Sequence, residues 1–445
     1  MSTEVSRRRF LEITGGVVAG LAVGGATGYF SGKSAVPTPE ATPTPTEEPK
    51  PEPIKEPVRI GVTSFRSGPY VSERDYIENA TQIALEEIQN ADWWRMGKID
   101  VSFVDMGSVT PDEVKTAMEK LLYVDKVHIA ISYWGTYGPG WDLCLETGIP
   151  LITGDTPKGV TTFIEEHPEI RLLDTFDPIG TRGYLNAFLD FLDWIEIEGL
   201  WEPRNKKMYV LHNDWVWDSD WVEPVPEEAE KRGWEIVGKD MLPAGTYDWS
   251  SALAKIRSLD PSVILHSDED PADAGTFVAQ FAANPIDALI FNPWGFAPPE
   301  SIDVADPPDL LLGALWGSGC MGIDGPLLRT FNNKYKDRTG SDATIAAHHT
   351  YDSVLCALMA INHAASTDPG KIYDSLLVTS PIGLSGHWVF DPETHIELTY
   401  PRCTPNHIMQ IQKDPERDGD VHQFNTVYPP EIAWRKFELP SWFKK

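Results

Sequence analysis

The sequence predicts an α/β protein with two doubly wound, mostly parallel lobes and a ligand cleft between them. Three observations carry that expectation. The chain has 445 residues, too many for one small core. From Pro57 onward, short apolar strands alternate with amphipathic helices, the pattern of parallel sheets covered on both faces. The strands are also too numerous for one comfortable sheet, so two sheets is the economical division.

In chain order, residues 58–63 read as a buried strand and 75–90 as a helix with Ile77, Ala80, Ala84 and Ile88 on one face. A strand at 101–105 precedes Thr110-Pro111-Asp112-Glu113, a helix start with a capping threonine, proline in the first turn and glutamate three positions on. Val114, Ala117, Leu121 and Leu122 give that helix its apolar stripe. Strands at 127–131 and 149–153 flank a short helix at 141–147 stopped by Gly148. The rhythm resumes with strands at 208–213, 235–240, 263–266, 288–291 and 310–315, and helices at 249–257, 272–282 and about 343–364. Short strands are expected at 387–390 and 407–411, and no internal repeat suggests a solenoid.

The first residues read as an address and a tether. Arg7, Arg8 and Arg9 precede Phe10 and Leu11, and residues 13–32 carry no charge. Ser6-Arg7-Arg8-Arg9-Phe10-Leu11 resembles a twin-arginine export signal, with Glu12 departing from the usual pattern. No cysteine precedes Cys144, so no lipid anchor is expected. Residues 1–33 are either a cleaved signal or an uncleaved membrane anchor, since about 20 apolar residues suffice to span a bilayer. Residues 34–57 hold eight prolines and four threonines, Thr38, Thr42, Thr44 and Thr46, and read as an extended linker. The folded part is expected outside the cytoplasmic membrane.

Charge narrows the partners. The chain carries 67 acidic and 37 basic residues. Residues 58–445 keep 60 of those acids and 31 of the bases, a surface that repels nucleic acid and anionic lipid. The four cysteines, Cys144, Cys320, Cys356 and Cys403, show no C-x-x-C spacing, so no zinc site is expected. One disulfide is compatible with an exported chain, without indicating which pair.

In doubly wound sheets, ligands bind outside the carboxyl ends of the strands. The loops there share an unusual composition: Ser132-Tyr133-Trp134-Gly135-Thr136-Tyr137, Gly154-Asp155-Thr156, Asp214-Trp215-Val216-Trp217-Asp218, Ser267-Asp268 and Asn292-Pro293-Trp294. Hydroxyls and glycine-exposed amides can bind a carboxylate or carbonyl. Tryptophan and tyrosine rings exclude water and can face a cation. The candidate ligand-binding residues are therefore Ser132, Tyr133, Trp134, Thr136, Thr153, Asp155, Thr156, Trp215, Trp217, Ser267, Asp268, Asn292 and Trp294.

In order and local pattern, residues 58–430 resemble the type I periplasmic solute-binding proteins of the leucine/isoleucine/valine and amide family. The likeness rests on Arg59-Ile60-Gly61-Val62, the strand–loop–helix at 127–147, Gly148-Ile149-Pro150-Leu151-Ile152, the 248–268 segment, Tyr351-Asp352-Ser353-Val354 and Gly383-Leu384-Ser385-Gly386 with Val389-Phe390-Asp391. The resemblance implies two Rossmann-like lobes, 58–176 with 316–385 and 177–315 with 386–445. Three crossovers would fall near 174–180, 313–320 and 383–388. It also implies hinge closure on a small solute, delivery to the permease subunits of an ABC transporter, a monomer, no catalysis and no cofactor. Ser132, Tyr133, Thr136, Thr153 and Thr156 would hold the ligand's carboxylate or carbonyl from the first lobe. Trp215, Trp217, Ser267, Asp268, Asn292 and Trp294 would face it from the second. Amino-acid binders of this family often place a glutamate near the Trp294 position for the α-ammonium; here the loop offers tryptophan. Asp155, Asp214, Asp218 or Asp268 could take that role, or rings could hold an aromatic or cationic ligand. A sensor ectodomain of the same fold and an exported hydrolase are the competing readings.

Enzyme-like signals are weak. Gly317-Ser318-Gly319-Cys320-Met321-Gly322 fits a nucleotide-loop spacing but lies deep in the chain, with Pro326 starting the next helix only after the last glycine. No G-x-S-x-G, H-E-x-x-H or P-loop occurs. His348 and His349 point different ways on a helix, so no metal pair is expected, and Asp268-Glu269-Asp270 before Pro271 reads as a charged helix start.

Overall fold

The computed structural model describes residues 57–443, apart from 69, 156, 176, 177, 320, 400–402 and 416–418. Residues 1–56, where an export signal or anchor and most of the linker are expected, lie outside the described residues, as do Thr156 and Cys320. Among the described residues, no helix is long and apolar enough to cross a membrane.

The first sheet comprises β1 (Val58–Ser64), β2 (Ile99–Asp105), β3 (Ile129–Ile131), β4 (Leu151–Thr153) and β5 (Leu172–Asp174), in the order β2-β1-β3-β4-β5. All of its pairings are parallel. Its strands β3, β4 and β5 are buried at every residue, as expected when helices cover both faces. The second sheet takes β6 (Lys207–Asn213), β7 (Glu235–Leu242), β8 (Val263–Ser267), β9 (Leu289–Asn292) and β10 (Leu315–Ser318) in the order β7-β6-β8-β9-β10. That is the same winding as the first sheet. It is extended antiparallel by β11 (His407–Gln410) and β14 (Thr426–Tyr428), while β12 (Gln412–Asp414) and β13 (Asp420–His422) form a separate hairpin. In each sheet the strand order reverses once, between β1 and β3 and between β6 and β8, so each lobe has one switch point.

The helices sit largely where the periodicity puts them. They include α1 (Glu73–Gln89), α2 (Pro111–Glu119), α3 (Tyr137–Thr147), α4 (Pro157–Glu166), α5 (Pro178–Ile197), α6 (Val216–Val222), α7 (Val225–Lys231), α8 (Ser250–Leu259), α9 (Pro271–Ala282), α10 (Glu300–Asp303), α11 (Pro326–Thr339), α12 (Ile345–Ala364) and α13 (Pro369–Leu376). Thr110 and Glu113 form the expected capping box at α2, and Gly148, at φ 65°, ends α3 in the left-handed conformation that glycine adopts without strain. One core packs the first sheet against α1, α2, α11 and α12. The two faces of the second sheet carry separate cores, one against α8 and α9 and one against α5, α6 and α7.

Two expected strands are displaced. Residues 308–311 form a 3-10 turn, and the strand expected at 310–315 begins only at Leu315. Pro307 and Pro308 remove two ladder donors there, and Gly313 turns the chain at φ 104°. At 387–390 only isolated bridges occur, from His387 to Ile382 and from Phe390 to Glu397. Trp388 and Phe390 instead pack into the first core.

The chain crosses between the sheets three times: after β5, after β10 and before β11. Helix α12 reaches all three crossings with one side chain each. His349 Nε2 lies 2.7 Å from Thr175 Oγ1. The Gly322 amide donates to His348 Nδ1 at 3.3 Å, and His348 Nε2 pairs with Asn332 Oδ1 at 2.9 Å. Asp352 accepts from the Leu384 and Ser385 amides at 2.6 and 2.8 Å and from Ser385 Oγ at 2.6 Å. Burial holds both histidines neutral, with pKa values lowered to about 3, so the two histidines read as structural groups of the hinge.

Candidate functional site

The carboxyl ends of the two switch points enclose one cavity. From the first lobe it is lined by Tyr133, Trp134, Gly135 and Tyr137 after β3 and by Gly154 after β4. From the second lobe come Tyr184 on α5, Trp217 on α6, Glu269 after β8 and Trp294 after β9. Its water-sized space is about 40 Å³, room for only a few waters or one compact group. The lobes touch across it, because the Trp134 and Trp294 rings meet edge-on at 5.7 Å. Trp134 is backed by Tyr70 at 4.3 Å and by Phe65 at 5.6 Å, so a stack of first-lobe rings presents it to the second lobe.

Beneath the rings of the first lobe lies a saturated carboxylate. Asp155 accepts hydrogen bonds from Thr153 Oγ1 at 2.6 Å, the Tyr137 amide at 2.7 Å, Trp141 Nε1 at 2.8 Å and Thr136 Oγ1 at 3.2 Å. Burial raises its pKa, and the Thr153 and Trp141 side chains with the Tyr137 and Thr136 backbone oppose the rise. Asp155 thus caps the first turn of α3 from inside the protein. It also fixes Tyr137, whose backbone sits at φ 45°, a costly conformation for a residue with a Cβ. Ser132 is fully buried and bonds Thr63 Oγ1 at 2.7 Å and the Trp134 carbonyl.

In the second lobe the acids are crowded and poorly matched. Ser267 donates to Asp218, and the Asn213 side chain and the Asp270 amide donate to Asp268 at 3.0 and 2.9 Å. His266 Nε2 is 3.5 Å from Asp268 Oδ2. The second oxygens of Asp218 and Asp268, both buried, have no hydrogen-bond partner. Glu269 is the only acidic or basic residue among the described lining residues. Burial, then the Asp268 charge, lifts its pKa to about 8. Burial and the neighbouring Glu269 and Asp268 charges push Asp218 well up. Glu269 acts across the cleft too, adding to the burial that raises the Tyr70 and Tyr137 phenols.

Of the residues expected to meet a ligand, the cavity gathers Tyr133, Trp134, Trp217 and Trp294. Ser132, Thr136, Thr153 and Asp155 lie beneath it, bonded to one another's loops. Ser267 and Asp268 form the acid layer behind Glu269. Asn292 is an internal clamp: its Nδ2 donates to the Asp268 carbonyl at 3.1 Å, and its Oδ1 accepts the Trp294 and Gly295 amides at 2.9 and 2.5 Å. A Cβ on Gly295 would sit 2.3 Å from the Asp268 carbonyl, so only glycine permits that approach. Trp215 stands outside the cavity lining, at the start of α6, with its amide on Asn213 Oδ1 at 2.9 Å. None of the four aspartates considered for an ammonium lines the cavity. Asp214 is exposed and accepts from the Ala244 amide at 3.1 Å.

Glu269, Tyr137, Tyr184, Gly135 and Gly154 are the lining residues not singled out from the sequence. Glu269 was hidden inside an acidic helix start, whose capping role belongs to Asp270 alone: its side chain accepts the Ala272 and Asp273 amides. Among the described residues, no group of three or more His, Cys, Asp or Glu side chains is placed to hold a metal ion.

Comparison with solved structures places this architecture. A Silicibacter pomeroyi protein provisionally named a branched-chain amino acid ABC transporter shares 21% identity at a TM-score of 0.79, over 87% of this chain and 100% of that one. The branched-chain amino acid transporter substrate binding protein of Streptococcus pneumoniae, in complex with isoleucine, shares 20% identity at a TM-score of 0.66 over 84% and 100%. An R. palustris ABC transporter solute binding protein in complex with benzoate shares 16% at 0.64 over 86% and 100%. No curated protein sequence matches. The profile of a periplasmic binding protein family matches residues 57–399. With two like-wound lobes, three crossings and a cavity where the switch points meet, this chain belongs to the periplasmic binding protein family.

Proposed function

We propose that this chain is the extracytoplasmic substrate-binding component of an ABC importer. It captures a small solute between its lobes, releases it unchanged and hands it to the permease subunits in the membrane. The observation that carries this reading is the cavity itself: six aromatic rings, three from each lobe, converge on it at the two switch points. The family and the transporter names of structurally similar proteins support the same role. The lobes would comprise 58–176 with 316–385 and 177–315 with 386–445. The basic, apolar N-terminal sequence supports export, with tethering if it is retained.

The test is a thermal-shift screen of amino acids, amides, aromatic acids and organic amines against the purified folded part. A bound solute should raise Tm in proportion to occupancy. Its recovery unaltered after incubation would separate carriage from turnover. If no solute in such a library shifts Tm, the reading fails.

A further inference from the structure

We infer that the cleft is built for a compact organic cation without a carboxylate of its own, held by Glu269 and the faces of the surrounding tryptophan and tyrosine rings. The inference rests on the solute-binding reading above and names its ligand class.

Three observations converge. First, the hydroxyls and the amide expected to greet a carboxylate already bond the protein's own groups. Thr136, Thr153 and the amide at the start of α3 all bond Asp155, so the protein's own carboxylate occupies the place a ligand carboxylate would seek. Ser132, Ser267 and Asn292 are likewise committed internally. Second, what remains facing the cavity is six rings and one acid, with no lysine, arginine or histidine among the described lining residues. Ring faces attract cations and gain from the loss of water. Third, the acid side is electrically unsatisfied. Asp218 and Asp268 are 0% and 1% exposed, and each keeps one carboxylate oxygen without a hydrogen-bond partner, the one on Asp268 lying 3.5 Å from His266 Nε2. No hydrogen bond or ion pair joins the Glu269 side chain to the described residues. A cation entering this space would supply the missing positive charge. A carboxylate or a zwitterion would instead bring a second negative group beside Glu269 and the acids behind it, at a real desolvation cost.

The groups facing Glu269 are Asp268 on its own loop, Asp218 on α6, and Tyr70 and Tyr137 across the cleft. None of these is basic; the imidazole of His266 lies behind them, 3.5 Å from Asp268 Oδ2, and no basic group faces Glu269 from the cavity lining. Binding of an organic cation should then expel a proton from Glu269.

The experiment is calorimetric titration of the folded part with choline, with its neutral isostere 3,3-dimethyl-1-butanol, with isoleucine and with benzoate. Choline should bind at least tenfold more tightly than the alcohol. Its affinity should rise about tenfold per unit between pH 6 and pH 8. Glu269→Gln should abolish both the preference and the pH slope while leaving the melting transition cooperative. Glu269→Asp should restore part of the preference, which a merely structural role would not do. Binding of isoleucine or benzoate with no response to choline or to tetramethylammonium overturns the cationic assignment and leaves the solute-binding reading standing. Equal binding of choline and the alcohol also overturns it. Silence toward every solute overturns both.

Discussion

The cleft and the hinge bury polar groups in opposite ways. At the hinge, His348, His349 and Asp352 on one helix each meet a partner at a different crossing. At the cleft, Asp218, Asp268 and Glu269 crowd together on one side of a ring-lined space, and two of them leave an oxygen unmatched. A satisfied buried network fixes one arrangement of the chain. An unsatisfied one holds free energy that a partner can release. The three α12 side chains at the crossings are thus met, while unmet carboxylate oxygens gather on the second-lobe side of the cleft.

The sharpest way to break that comparison is at the hinge. Asp352→Ala should cost about 3–5 kcal/mol, because it strands the Leu384 and Ser385 amides and the Ser385 hydroxyl away from water. Chemical denaturation would measure this, and a loss under about 1 kcal/mol would show the network to be ornamental. Asp155→Ala should cost about 2–4 kcal/mol by the same reasoning and should release Tyr137 from its constrained backbone. The readout is a lower denaturation midpoint together with weakened solute binding.

A smaller effect is expected from pH. The Glu269 pKa is raised to about 8 in the folded state, with Glu73 to about 8, Asp273 to about 7 and Asp352 to about 6. A carboxyl whose folded pKa exceeds its unfolded one stabilises the fold fully below the unfolded value and loses that contribution as pH rises through the folded value. The empty protein should therefore melt higher at pH 5 than at pH 8. Glu269→Gln should flatten part of the slope, and a Tm that climbs from pH 5 to pH 8 would contradict the unmet-charge picture. The smallest change in stability should come from Trp217→Ala. Trp217 is only half-buried, so the denaturation midpoint should barely move while choline affinity falls several-fold.

Much of the fold was legible because burial writes itself into strands as unbroken apolar runs. The Thr110 capping box and the Gly148 stop were readable for the same local reason. The strand at Leu315–Ser318 was misplaced because the apolar run before it contains the residues of a 3-10 turn. Within the site, sequence composition found the loops but not the direction of each side chain. Trp215 and Trp217 look equivalent on paper, yet only Trp217 reaches the cavity. Ser132, Thr136 and Thr153 look like ligand donors, yet Asp155 and Thr63 absorb them. In Asp268-Glu269-Asp270, three adjacent acids serve as loop brace, cavity wall and helix cap. Tyr184 left no local signal, because its place depends on how the first crossing delivers α5 to the cleft.

The contact between Trp134 and Trp294 has a practical corollary. Two indoles 5.7 Å apart on opposite lobes are close enough for their excited states to couple. Any separation of the lobes must uncouple them. The protein therefore carries an intrinsic optical gauge of its own opening, readable without any attached dye as the difference in ultraviolet circular dichroism between the native chain and a Trp294→Phe variant, which removes this pair's exciton coupling and keeps that of Trp201 with Trp234 and Trp93 with Trp94.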